Sequence, residues 1–476
     1  MHNACICPVI YHHSRMSMTR PELLTIESRE LRHRTQLLQT PQPTVIYEGI
    51  TAVTGPNGSG KSTLGRILEK GWNIATNRIT SPRGKLNVRM LEFNDIHSLT
   101  GFRADYYQQR YEATMNDGIP TVADVMGDKL NRPQWAGWAS LLELYGTEHK
   151  HVNFLSSGEL RKLLIINQLM DLPDLLILDN PYIGLDTRSR QALDTAIRKV
   201  ADAGTSVMLL IPDRDNMPGY VEHELSMHGG TIGASWTEAA PHTITTLPGH
   251  APEQLQGPVV ELNDCSVTLG GRTVLSHINW TVNSGETWAL TGPNGSGKST
   301  LLSLITADNP QAYRCDIKLF GHKRGSGESI WDIKRRIGYV SPEMHAYFNG
   351  GASTVESIVA HGLHDTVGEF TRITDSQLQL TRQWLQLMQI DHLAQRRFNT
   401  LSAGEQRLTL ITRTFIKRPP LLILDEPLHG LDSRTRQRVE TVTSLMARES
   451  TLIYITHNPD ELPRPLSGTF TLTPTM

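Results

Sequence analysis

The sequence predicts an α/β chain of two tandem domains, each with a parallel-sheet core and a helical subdomain. Three observations predict it. The phrase TGPNGSGKST occurs at Thr54–Thr63 and again, letter for letter, at Thr291–Thr300. Each copy is followed, in the same order, by LSxGE (Leu155–Glu159, Leu401–Glu405), LLILD (Leu175–Asp179, Leu421–Asp425) and GLD. In both halves short aliphatic runs alternate with stretches of helical period, the pattern of buried parallel strands joined by helices. Lys61 and Lys298 lie 237 residues apart, too long for a solenoid unit and right for a domain.

The elements follow in order. Residues 1–20 read as a disordered extension, with Met16 or Met18 as an alternative start. His2, Cys5, Cys7, His12 and His13 could ligate a metal there, but their spacing fits no common zinc pattern. Residues 21–244 form the first domain, with ITAVTG, LLILD and SVMLLI as its buried strands. A linker is expected over 245–258, because TTLPGHAPEQLQGP is rich in Pro, Gly and polar residues. It spans at most ~40 Å when extended. Residues 259–476 form the second domain, opening with the strand-like VVELNDCSVTL. Its stretch LTRQWLQLMQI sets Leu380, Trp384, Leu387 and Met388 on one helical face, as core packing requires.

Composition excludes several classes. Across 476 residues, Lys+Arg 46 against Asp+Glu 48 gives no strong nucleic-acid signal, which would need a basic surface. Four cysteines supply no disulfide framework, so a reducing cytosol is expected. No apolar run reaches the ~18–20 residues of a transmembrane segment, and no secretory leader is present. The expected location is cytoplasmic, with peripheral attachment at the inner face of the membrane as the alternative.

GPNGSGKS fits G-x-x-x-x-G-K-[ST] in both halves, after an apolar strand and before a helical pattern (TLGRILEK, TLLSLIT). Such a loop turns backbone N–H groups inward around phosphates, with the next helix's N-terminus behind them. The expected nucleotide-binding residues are Gly55, Asn57, Gly58, Gly60, Lys61, Ser62 and Thr63 in the first half. In the second they are Gly292, Asn294, Gly295, Gly297, Lys298, Ser299 and Thr300. The lysines reach the β- and γ-phosphates, and Ser62 and Ser299 bind Mg²⁺. Asp179 and Asp425 end a buried strand, where an acid holds the same ion through water.

With these motifs the chain resembles the ABC ATPases, and LSSGE and LSAGE are similar to that family's signature. The second half more closely resembles a soluble twin-domain member found with bacterial molybdenum transport genes. LLSLITADNPQAY, LFGHKRGSGESIWDIKRRIGYVS and LLILDEPLHGLD carry that likeness. The resemblance implies ATP and Mg²⁺ as ligands and two domains paired head to tail. Each ATP would lie between one phosphate loop and the other half's signature, Ser156 with Gly158 or Ser402 with Gly404. Asp186 and Asp432 match the family's D-loop, expected where the domains meet.

The two copies differ where catalysis needs them. In the family the acid after the Walker-B Asp polarises the attacking water. Glu426 fits that role and Asn180 does not, since an amide takes no proton. The family's switch histidine is matched by His457 in the second half and by Asp213 in the first. The family's Q-loop glutamine, a Mg²⁺ contact, has Gln108 or Gln109 as candidates, while IGYVSPEMH offers only Ser341, Pro342 and Glu343. Leu269 stands where an aromatic usually stacks on adenine, and only His33 is near in the first half.

The sequence therefore predicts an ATPase with one competent composite site and one degenerate site. Domain closure would act on an unidentified protein partner, within molybdenum metabolism. The alternatives are the ATP-hydrolysing subunit of a membrane transporter, needing separate membrane subunits, and a ribosome-acting translation factor. The short linker speaks against the last.

Overall fold

A computed structural model describes residues 20–473, apart from 34–35, 73, 75, 94–119, 153–154, 156, 183–184, 186, 235–243, 270–271, 294, 343, 345–347, 349, 366–371 and 457. The proposed N-terminal extension and its His and Cys residues lie outside these, except Arg20, which pairs with Glu222 at 2.7 Å.

Each half is built on five parallel strands in one order. In the first, Val88–Glu92, Leu175–Asp179, Ser206–Ile211, Ile50–Thr54 and His223–His228 lie side by side. In the second the order is Ile337–Val340, Leu421–Asp425, Thr451–Ile455, Thr287–Thr291 and Gly468–Thr471. Ile50–Thr54, Leu175–Asp179 and Ser206–Ile211 are buried at every position, as strands covered on both faces must be.

Side-chain alternation sends each strand into two cores. Leu176 and Leu178 face a cluster with the helical subdomain, including Val122, Trp135 and Leu163. Leu175 and Ile177 face the opposite cluster, with Leu64 and Ile67 of the phosphate-loop helix Lys61–Lys70 and Leu24 of an antiparallel strand. Leu422 with Leu424, and Leu421 with Ile423, repeat this in the second half. The stripe on Asp375–Leu387 lands as predicted: Trp384 and Met388 are fully buried, with Leu380 and Leu387 packed beside them. Truncating Trp384 to Ala should cost ~3–5 kcal/mol.

Antiparallel strands flank both cores. Glu22–Ile26 pairs with Thr44–Tyr47 and Ile79–Thr80, and Pro258–Leu269 pairs with Arg272–Asn283 and Asp316–Leu319. Between the halves, 244–257 carries neither helix nor strand. It lies along the second half, where Arg418 donates to the Gly249 carbonyl at 3.0 Å and Arg336 pairs with Glu253 at 3.0 Å. Among the described residues no helix is long and apolar enough to cross a membrane.

Candidate nucleotide sites

Both phosphate loops have the same local build. Gly60 and Gly297 precede their helices in the left-handed region, at φ 100° and 94°. A Cβ on Gly60 would also meet Leu38 Cδ2 at 2.6 Å, so that side chain would have to shift as well, and the left-handed backbone favours glycine there. Lys61 Nζ donates to the carbonyls of Gly55 (2.6 Å) and Pro56 (3.0 Å). Lys298 Nζ repeats this on Gly292 (2.7 Å) and Pro293 (3.0 Å). Thr63 donates to Gln36 Oε1 at 2.7 Å, and Thr63 and Thr300 are both buried.

The loops differ in cover. Lys61 is buried, whereas Lys298 is half-buried and Ser299 is exposed. The cover over the first loop comes from the second half. Asn57 N–H donates to Asp432 Oδ2 at 3.0 Å, and Asn57 Nδ2 donates to the Gly430 carbonyl at 3.1 Å. A Cβ on Gly404 would lie 2.0 Å from Asn57 Nδ2, and one on Gly58 would lie 2.8 Å from Glu405 Oε1. The first phosphate loop thus sits directly on the second half's signature, and Asp432 lies where the halves meet. Ser402 caps that signature helix, Ala403–Phe415: its N–H donates to Glu405 Oε2 at 2.7 Å and its hydroxyl accepts from Glu405 N–H.

At the reciprocal pairing, Ser156, Asp186 and Asn294 lie outside the described residues. Gly158 is placed in the helix Ser157–Leu169. Around Gly295, at φ 79°, no described residue lies within 4 Å of where a Cβ would point.

Electrostatics fit the expected ligands at the first loop. Burial pushes the Asp179 carboxyl up to about 6; Ser62's hydrogen bond opposes this, Glu92's charge adds to it, and Lys61 and Arg66 resist it. Asp179 Oδ2 is buried with no hydrogen-bond partner, an orphaned acceptor suited to a hydrated cation beside the Ser62 hydroxyl. Burial also brings the Lys61 ammonium down to about 8, against Asp179, Asp432, Asp213 and Glu405. A phosphate on Lys61 and a cation on Asp179 would relieve both. Bound there, Mg²⁺ would supply charge neutralisation for phosphoryl transfer. No cluster of three or more metal-ligating side chains occurs among the described residues.

Asn180 and Glu426 occupy one backbone setting. Both are left-handed, at φ 50° and 49°, and both donate N–H into the neighbouring strand, to Leu210 at 3.0 Å and Ile455 at 2.9 Å. Below each, a buried signature-helix arginine holds the following turn. Arg161 donates to the Pro181 carbonyl at 2.5 Å, and Arg407 to the carbonyls of Glu426 and Pro427. Asn180 Nδ2 points back to Asp179 Oδ1 at 3.3 Å. Glu426 Oε2 lies 2.6 Å from His429 Nδ1.

Strand register corrects two sequence alignments. Asp179 pairs with Leu210 and Asp425 with Ile455, so two residues further on Pro212, not Asp213, matches His457. A proline is no imidazole either. Asp213 is buried and saturated instead: it accepts from Asn216 N–H (3.0 Å), Asn216 Nδ2 (2.7 Å) and, across the halves, Ser433 Oγ (3.0 Å). His457 itself lies outside the described residues. Likewise Leu91 pairs with Leu178 as Val340 pairs with Leu424, so the segment after Ile337–Val340 matches Glu92–Phe93. Gln108 and Gln109 lie beyond it, outside the described residues. Glu92 holds Arg66 at 2.8 Å. His33 and Leu269 do match: each precedes its hairpin turn, paired with Gln36 and Arg272.

The ABC transporter family model matches twice, over residues 38–183 and 275–429. The ABC transporter ATP-binding protein ModF of Escherichia coli (strain K12) is 34% identical over 458 residues, 90% of this chain and 92% of that one.

The chain belongs to the ABC transporter family of ATP-binding proteins.

The family is one of ATP-hydrolysing P-loop domains, and this member carries two. An uncharacterized ABC transporter ATP-binding protein of Schizosaccharomyces pombe is 28% identical over 87% of this chain and 90% of its own length. Among solved structures, an archaeal ribosome recycling factor in complex with a ribosomal stalk protein superposes with TM-score 0.51 at 17% identity. It covers 93% of this chain and 87% of that one, a likeness of fold.

Proposed function

We propose that this ABC ATPase hydrolyses ATP at one composite site and holds it at the other. The competent site joins Lys298, Ser299, Asp425, Glu426 and His457 to Ser156 and Gly158. The holding site joins Lys61, Ser62, Asp179 and Asn180 to Ser402 and Gly404. Mg²⁺ is carried by the serine and aspartate of each loop. The halves, 21–244 and 259–476, close head to tail within the chain and reopen after one hydrolysis.

One observation carries the reading: Asn180 and Glu426 share backbone conformation and main-chain bonding, so the loss at position 180 is one of chemistry. A positioned general base contributes ~10²–10⁴ in rate. The contacts of Asn57 with Gly430 and Asp432 support intramolecular pairing. Closure does work on a protein partner, placed in molybdenum metabolism on the resemblance to ModF alone.

The test is ATP turnover of the wild type beside Lys61→Ala, Lys298→Ala, Glu426→Gln and Asn180→Glu. Lys298→Ala and Glu426→Gln should abolish turnover, and Lys61→Ala should weaken it through closure. A gain in Asn180→Glu would show that only the carboxylate was missing there. Full turnover in Glu426→Gln would refute the reading.

A further inference from the structure

The turn after Leu421–Asp425 reads EPLHGLD, and its counterpart after Leu175–Asp179 reads NPYIGLD. Glu426 and His429 in one copy stand against Asn180 and Ile183 in the other. The second half keeps both members of a bonding pair, and the first half has lost both. The repeat thus contains its own control.

We propose that His429 is a positioning residue for Glu426. The inference rests on the reading of Glu426 as the base. The two side chains meet at 2.6 Å, with only 9% of Glu426 and 19% of His429 exposed. A carboxylate has only acceptors, so the ring Nδ1–H donates. The Glu426 main chain is held at both ends: its N–H donates to the Ile455 carbonyl at 2.9 Å, and its carbonyl accepts from Arg407. The side chain beyond them has three torsions to be set. His429, three residues along the same turn, holds Oε2 at 2.6 Å.

The histidine reaches Glu426 from within its own half, so the carboxylate is oriented before the halves close. The ring also lines a cavity of about 330 Å³ between the halves, with Asn180, Tyr182, Arg190 and Arg436. A residue in that place senses the other half while holding the base. An error of ~1 Å in a reacting group can cost ~10²-fold in rate. A lost orienting bond should therefore register in kcat and leave ATP affinity alone.

The experiment measures kcat and KM for ATP in His429→Ile, His429→Asn, Glu426→Gln and the Glu426→Gln/His429→Ile double variant, with melting temperature for each. His429→Ile should lose ~10- to 100-fold in kcat at unchanged KM. His429→Asn, whose amide can donate from near the Nδ1 position, should recover several-fold of that loss. The double variant should be no slower than Glu426→Gln alone. Wild-type turnover in His429→Ile beside a dead Glu426→Gln would overturn the inference and leave the function standing. Equal losses in the Ile and Asn variants, tracking a fall in melting temperature, would also overturn it. An active Glu426→Gln would remove the reading of the base and this inference with it.

Discussion

Gly404→Ala separates helix stability from closure, because the two respond in opposite directions. Gly404 lies in the first turn of the Ala403–Phe415 helix, where alanine is the better helix former by ~0.5–1 kcal/mol. The new Cβ would sit 2.0 Å from Asn57 Nδ2 and 2.2 Å from its Cγ. Ordinary contact begins near 3.4 Å, so the Asn57 side chain must be displaced by more than an ångström. That breaks the Asn57 Nδ2 bond to the Gly430 carbonyl and, where the loop follows the side chain, the N–H bond to the Asp432 carboxylate. At ~1 kcal/mol for the neutral bond and ~1.5–3 for the charged one, the halves lose ~1 kcal/mol of coupling with the first bond alone and ~2.5–4 with both. This is a factor of about 5 in the closure equilibrium for the first bond and about 60 to 700 for both. The assay is the ATP-dependent distance between spin labels on the two halves, read beside melting temperature and turnover. Melting temperature unchanged or raised, with closure and turnover strongly reduced, is the expected result. Wild-type closure in Gly404→Ala would refute the claim that the halves meet through this contact.

A second contact between the halves and two shifted groups give four further predictions. The Asp213–Ser433 bond predicts a coupling of ~1–2 kcal/mol in a double-mutant cycle of Asp213→Ala and Ser433→Ala by chemical denaturation; additive losses would show that the bond is not made. Asp179, raised from 3.8 to about 6, binds more protons folded than unfolded in that window. The stability of wild type relative to Asp179→Asn should therefore fall from pH 4 to pH 6, by up to ~3 kcal/mol, and then level off; a flat difference would contradict its burial. Lys61, lowered from 10.5 to about 8, gives the opposite slope: the unfolded chain holds more protons between those values, so stability relative to Lys61→Met should rise with pH from 8 to 10.5. Binding of ATP to Glu426→Gln should take up a proton near pH 8.5 as the phosphates recharge Lys61, visible as buffer-dependent heats.

Much of this was legible in the sequence. Repeated words located both phosphate loops, both strand-end aspartates and both LSxGE segments, and aliphatic runs located the central strands. The asymmetry of Asn180 and Glu426 could be read because they follow matched LLILD strands. What stayed hidden depends on register or on the other half. By residue type Asp213 is the nearer counterpart of His457, and only the pairing of Asp179 with Leu210 and of Asp425 with Ile455 gives that place to Pro212. Glu92 and Phe93 carry no glutamine, so a glutamine motif alone points past that strand end to Gln108. Asn57 gave no sign of reaching Gly430, nor Asp213 of reaching Ser433. Such contacts join residues more than 200 positions apart, which no local pattern encodes. The Glu426–His429 pair was within view as a departure between the two repeats, and its meaning needed the 2.6 Å contact.

The most direct test of unequal sites is a quench-flow count of cleaved ATP in chains loaded with two ATP each. One ADP per chain should form in the fast phase, with the second ATP recovered intact after reopening. Two ADP per chain at the same rate would contradict the account.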